Sequence, residues 1–181
     1  MEKTLIVVDY QNDFITGSLG TPEAQAIFPN ITDRVRRAEA LGESVIFTRD
    51  FHTENYLNTQ EGRFLPVPHC RWDTDGFHVP REILDAAEVY TFCDKPTFGS
   101  IDLAGRFVPG FGKPLKQLTL IGVCTDICIV SNALLLKTFL PEVEIHVDAS
   151  CCAGTTPENH YKALDIMKQC QIIIENDDRE E

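Results

Sequence analysis

Cations are scarce in this sequence. Lys and Arg total 16 against 28 Asp and Glu in 181 residues, a net charge of −12. Such a balance repels phosphate backbones and anionic lipid surfaces, and so argues against nucleic acid or a membrane as partner. Long hydrophobic runs are missing too, since no stretch approaches the roughly 20 apolar residues that a membrane span requires. No targeting segment shows near the start, where Lys3 is followed only by the short run Leu5–Val8 and then Asp9. These absences predict a cytoplasmic protein. Cysteines number 7, an odd count at irregular spacing that does not make the disulfide framework of a secreted domain. Most are expected to be reduced, buried and inert. Internal repeats and low-complexity stretches are also lacking.

What is present is the composition of one compact domain over 1–181, with 43% hydrophobic and 24% charged residues. A chain this long buries roughly 70% of its unfolded surface, so it needs no metal staple and any metal is functional. The end, NDDREE at 176–181, reads as a short solvated acidic tail.

Short runs rich in Val, Ile, Leu and Phe alternate with helical patterns, as in a parallel sheet covered by helices on both faces. The expected strands are Thr4–Asp9, Ser44–Arg49, Val89–Cys93, Gln117–Val123, Val143–Val147 and Gln171–Ile174. Helices are expected over Asn30–Leu41, stopped by Gly42, over Ser100–Phe107, and over Thr125–Leu140, ending before Pro141. A last one, Pro157–Gln169, opens with proline after Thr156 as cap. The fold class predicted is a three-layer α/β/α, doubly wound, mostly parallel sheet of about six strands. Residues 51–80 break the rhythm with Pro66, Pro68, Gly62, Gly76, aromatics and three histidines, and a loop that long is usually functional.

In an open parallel sheet, chemistry sits beyond the carboxyl ends of the strands. There the sequence places Asp9, Asp50 with His52, Lys95, and Cys124 through Cys128. Cys128 falls in the first turn of a helix, where the dipole and free N–H groups favour a thiolate and hold a developing oxyanion. Most cysteines are simply small buried hydrophobes, and Cys124 is a rival nucleophile at the strand end. Asp9 alone reads as a polar strand terminus and Lys95 alone as a surface lysine. Aligned with Cys128, Asp9 suits a proton acceptor and Lys95 a cation that keeps the aspartate ionised and lowers the thiol pKa. Asp50, His52 and His69 suit zinc, manganese or iron, with positions left open for water or substrate. Glu61 and His78 are further ligand candidates, whereas His146 and His160 look structural; ordinary loop histidines are the plain alternative.

VVDYQNDF, RDFHTEN with PVPHC, DKPTF, GVCTDICIV and VDASCCAGTTPENHYKAL follow one another along nearly the whole chain. Together they resemble the cysteine hydrolase superfamily that includes nicotinamidases and isochorismatases, and most of all the nicotinamidases, which pair the cysteine with an Asp-x-His…His metal site. The resemblance implies a catalytic triad of Asp9, Lys95 and Cys128, and metal ligands Asp50, His52 and His69, with Glu61 direct or through water. It also implies an oxyanion hole from the N–H groups of Cys124 and Cys128, and a cis peptide between Val123 and Cys124. Phe14 and Phe98 match pocket aromatics, while Leu65 stands where an aromatic is often seen and Gly99 where serine is common. The implied activity is hydrolysis of nicotinamide, and of pyrazinamide, through a cysteine thioester in NAD salvage, by a homo-oligomer acting on a small molecule. Two alternatives stay open: the same amidohydrolase chemistry on another small amide or ureido compound, and a non-catalytic ligand-binding module.

Overall fold

A computed structural model describes residues 2–107 and 115–180. The strands β1 (Glu2–Val8), β2 (Ser44–Asp50), β3 (Thr91–Lys95), β4 (Leu115–Val123), β5 (Glu144–Ala153) and β6 (Ile173–Glu175) form one parallel sheet in the order β3-β2-β1-β4-β5-β6. Strand order reverses between β1 and β4, the place where such sheets open a crevice at their carboxyl ends. Between β1 and β2 lie α1 (Asn12–Ile15), α2 (Pro22–Ala26) and α3 (Phe28–Ala40); α4 (Gln60–Phe64) and α5 (Arg81–Leu84) precede β3. Then come α6 (Ile101–Gly105), α7 (Val130–Phe139) and α8 (Pro157–Gln169). No helix among the described residues is long and apolar enough to cross a membrane.

The period of two along β1 explains the layers. Leu5 and Val7 join one core with Ile31, Val35 and Ala38 of α3, while Ile6 and Val8 join the other with Ala133 and Leu136 of α7 and Leu164 and Met167 of α8. Each of these larger side chains contributes roughly 1.5–3 kcal/mol through burial. Both sides of the sheet are covered, so β1 reads as a continuous apolar run.

Boundaries differ from the sequence expectations in instructive ways. α3 begins before Asn30 because Pro29 suits its first turn, and it stops at Gly42, whose φ of +66° suits glycine. α8 spans 157–169 as expected, with Thr156 Oγ accepting the Asn159 N–H at 3.1 Å. The apolar run expected as one helix over Thr125–Leu140 divides: Thr125–Ile129 is a π turn, in which the Ile129 N–H reaches the Cys124 carbonyl at 3.1 Å, and α7 follows. The third strand lies further along the chain than Val89–Cys93, which brings Lys95 into β3 itself. Residues 51–80 hold α4 and the 3-10 turns Tyr56–Asn58 and Asp75–Phe77. Near the end, Asp177 is not solvated but buried, paired with Lys168 and Arg179 at 2.9 and 2.8 Å. All seven cysteines are unpaired and five are buried; Cys124 is half-buried and Cys170 exposed.

Candidate active site

Asp9 leaves β1 in the left-handed region, φ +48°, a conformation that costs a non-glycine residue of order 1–3 kcal/mol and is tolerated where surroundings enforce it. Thr48 of β2 does the enforcing. Its carbonyl accepts the Asp9 N–H at 3.2 Å and its hydroxyl donates to Asp9 Oδ1 at 2.6 Å. On the other side β4 approaches so closely that a Cβ on Gly122, φ +118°, would lie 2.1 Å from the Val8 carbonyl oxygen. Glycine is required there.

Lys95 and Asp50 are register partners across β2 and β3. From that position Lys95 Nζ lies 2.6 Å from Asp9 Oδ2, 3.7 Å from Asp50 Oδ1 and 3.4 Å from Cys128 Sγ. Cys128 sits in the π turn that follows the cis Val123–Cys124 peptide, the bond the family resemblance implied. Asp9 and Lys95 are 0% and 1% exposed and Cys128 7%, so the three meet in a water-poor interior.

Burial dominates their protonation. It raises the Asp9 carboxyl above its ordinary value despite the opposing pull of Lys95. Burial lowers Lys95, but the charge of Asp9, with Cys128 and Asp50, more than reverses this and keeps the ammonium charged. The Cys128 thiol is pushed well up by burial and then by Asp9, against which Lys95 pulls down without prevailing. Lys95 therefore acts on the thiol in the expected direction, but burial and Asp9 outweigh it and favour the protonated sulfur. Cys124, the rival thiol, is pushed up to about 12 by burial and the charge of Asp126.

The second cluster shares Asp50. His52 Nε2 and His69 Nε2 lie 3.0 and 3.3 Å from Asp50 Oδ2, and Glu61 Oε1 of α4 lies 3.6 and 3.8 Å from the same two nitrogens. The four donor atoms fall within 4.8 Å of one another. Burial would raise Asp50, but His52, His69 and Lys95 hold it well below the usual carboxylate range. His69 Nδ1 faces the Val67 carbonyl at 2.8 Å, which fixes the tautomer that leaves Nε2 a lone pair. His52 Nε2 is buried with no hydrogen-bond partner. An orphaned imidazole nitrogen among two carboxylates and a second imidazole fits a divalent cation. His78 does not join this group: it is exposed and its carbonyl accepts the Asn12 N–H at 2.9 Å. His146 pairs with Glu175 at 2.6 Å, and His160 bonds the Thr125 hydroxyl at 2.8 Å.

Three further side chains set this geometry without any spacing signal in the sequence. Gln11, fully buried, donates through Nε2 to the Asp50 carbonyl (2.9 Å) and the Phe77 carbonyl (2.8 Å), and accepts the Asp50 N–H at 2.7 Å. Asn132 of α7, also fully buried, donates to the Cys128 carbonyl (2.8 Å) and the Phe98 carbonyl (3.0 Å) and accepts the Ser100 N–H at 2.9 Å. Asp126 accepts the Thr155 N–H at 2.8 Å and its hydroxyl at 2.5 Å, tying the π turn to the segment after β5.

Cys128 and the carboxylate–histidine cluster border one cavity of about 1000 Å³. Phe14, Leu65 and Phe98 border it too. Phe14 is edge-on to the His69 ring at 5.6 Å between centroids, and Tyr56 packs on both His52 and His69 at 4.6 and 5.0 Å. The Tyr56 hydroxyl donates to the Leu65 carbonyl at 2.8 Å.

This fold is shared with solved structures over nearly the full chain. The crystal structure of a nicotinamidase/pyrazinamidase from Bacillus subtilis superposes with a TM-score of 0.84 at 25% identity, covering 97% of this chain and 100% of that one. The pyrazinamidase of Pyrococcus horikoshii in complex with zinc gives a TM-score of 0.77 at 30% identity, covering 96% and 98%. A nicotinamidase of Saccharomyces cerevisiae is 33% identical over 104 residues, a match that takes in 54% of this chain and about half, 47%, of the yeast protein. The architecture defines an isochorismatase-like α/β hydrolase fold. The isochorismatase domain family matches residues 3–178, and the chain belongs to that family.

Proposed function

We propose that this chain is a nicotinamidase, which hydrolyses nicotinamide, and pyrazinamide with it, to the carboxylic acid and ammonia. The observation that carries the reading is Lys95 Nζ poised between Asp9 Oδ2 at 2.6 Å and Cys128 Sγ at 3.4 Å, beside the cavity that the Asp50, His52, Glu61 and His69 cluster also borders. The similarity to nicotinamidases and pyrazinamidases supports it.

As the Cys128 sulfur attacks the carboxamide carbon, its proton passes to the Asp9 carboxylate. Lys95 holds Asp9 ionised before this transfer and stabilises charge on sulfur during it. The oxyanion lies against the N–H groups of Cys124 and Cys128, and one such donor is worth about 3 kcal/mol. Asp9 then protonates the nitrogen that departs as ammonia, takes a proton from the water that cleaves the thioester, and returns it to the Cys128 sulfur as that bond breaks. Asp50, His52 and His69, with Glu61 directly or through water, would hold a divalent cation, zinc by preference, which would supply a Lewis acid for orienting the substrate. Phe14 and Phe98 flank the ring, so that the carbonyl is presented to the sulfur in one orientation. By the same family reading, the enzyme works in NAD salvage as a cytoplasmic homo-oligomer.

The test is ammonia release from nicotinamide by the purified protein, run beside Cys128→Ala and beside a chelator-treated sample. Release that is lost in both controls is the expected result. A metal-loaded wild type that releases none refutes the assignment, and turnover by Cys128→Ala above a trace refutes the covalent route.

A further inference from the structure

The cavity is much larger than the proposed substrate. A volume of about 1000 Å³ stands at the upper end of what holds a drug-sized ligand, whereas nicotinamide is a single ring with one carboxamide. On the leaving-group side stand Asp9 and Lys95, buried at 0% and 1% exposure. The nitrogen that departs toward Asp9 therefore has no room for a substituent. Part of the cavity wall is apolar and exposed: Phe64 is 85% exposed, Phe98 47% and Leu65 37%, with Leu19 and Ile127 also on the wall. A single exposed apolar side chain needs no explanation, but three around one cavity form a patch of the kind that marks a binding surface. Leu65, whose carbonyl accepts the Tyr56 hydroxyl, borders the same wall with a side chain smaller than an aromatic ring.

We infer that the enzyme selects primary ring carboxamides that carry an apolar substituent on the ring, with the substituent seated against Phe64, Leu65 and Phe98 and the amide nitrogen unsubstituted. The inference rests on the amidase reading above and adds to it which end of the substrate can grow.

Hydrolysis of nicotinamide, of its 5-phenyl and 6-phenyl derivatives and of N-benzylnicotinamide by the metal-loaded wild type tests it. One added methylene in a fitting apolar pocket changes selectivity by about ten-fold or more. A phenyl group seated on this patch is therefore expected to lower KM at least ten-fold relative to nicotinamide for one of the two ring isomers. N-benzylnicotinamide is expected to release no benzylamine. Leu65→Trp, which puts a larger side chain on this wall, is expected to raise KM for the preferred phenyl isomer by a larger factor than for nicotinamide. Turnover of nicotinamide with neither phenyl isomer accepted overturns the inference and leaves the amidase standing. Benzylamine release also overturns it, by showing room beside Asp9. Loss of all turnover, nicotinamide included, sinks the amidase reading itself and this inference with it.

Discussion

Replacing Lys95 by methionine keeps the length of the side chain and deletes a cation within 4 Å of two buried carboxylates, Asp9 at 2.6 Å and Asp50 at 3.7 Å. Removing one partner of a buried pair costs about 3–5 kcal/mol, because the other charge stays buried and uncompensated. For a chain of this size each kcal/mol lowers the midpoint by about 2–4 °C, so the variant should melt roughly 6–20 °C below wild type at pH 8. The loss should depend on pH with a definite sign. Burial already raises Asp9 above the usual aspartate value, and without the opposing pull of Lys95 it rises further. A carboxyl that binds its proton more tightly in the folded state loses stability as pH climbs above its unfolded value of about 3.9, and regains it on acidification. The deficit of Lys95→Met should therefore shrink between pH 8 and pH 5. Thermal unfolding followed by circular dichroism at both pH values, with turnover measured in parallel, reads it directly. A deficit under about 1 kcal/mol, or one that grows on acidification, refutes the account of the cluster.

The central strands and the long helices were legible in the sequence because their apolar spacing was unopposed. β1, β2 and β4 are buried on both faces, and nothing in their composition competes with that reading. β3 was misplaced for a physical reason. Val89 and Tyr90 look like strand residues, yet Val89 is 77% exposed, while Asp94 and Lys95 look like a loop and are strand because Arg49 and Asp50 face them in register. Arg49 pairs with Asp94 at 2.6 Å, so the polarity is satisfied only across the sheet. The one-turn α4 was invisible for a similar reason: it is held by the Thr59 cap on the Gly62 N–H at 3.0 Å and by Tyr56, not by any period of its own. At the site, ionisable residues announced themselves at strand ends. The amides did not, since Gln11 and Asn132 act on backbone groups that folding alone brings near. Asn132 did leave one sign, as a polar amide inside the apolar run from Ile127 to Leu136, where it must find partners or cost about 1–3 kcal/mol.

Asn132→Leu keeps the shape but strands the Ser100 N–H and loosens the Cys128 carbonyl. We expect about 2–5 kcal/mol lower stability by urea unfolding and a fall in kcat larger than any rise in KM; unchanged kcat would remove Asn132 from the support of Cys128. His52→Ala and His69→Ala should each lose stoichiometric zinc by elemental analysis while retaining the wild-type circular dichroism, and full retention of zinc would displace the metal from this cluster. Thr48→Val tests the base. Its hydroxyl donates to Asp9 Oδ1 at 2.6 Å and favours the carboxylate, so removing it should raise the Asp9 pKa. A hydrogen bond to a charged group is worth about 1.5–3 kcal/mol, enough for the upward shift to be read in a pH profile. Because Asp9 must be ionised to accept the Cys128 proton, the acid limb of kcat/KM should move to higher pH, while the rate on the plateau changes little. Valine has nearly the volume of threonine and leaves the Thr48 carbonyl bond to the Asp9 N–H in place, which separates a lost hydrogen bond from a displaced strand. An acid limb that stays put or moves to lower pH would show that a group other than Asp9 takes the proton.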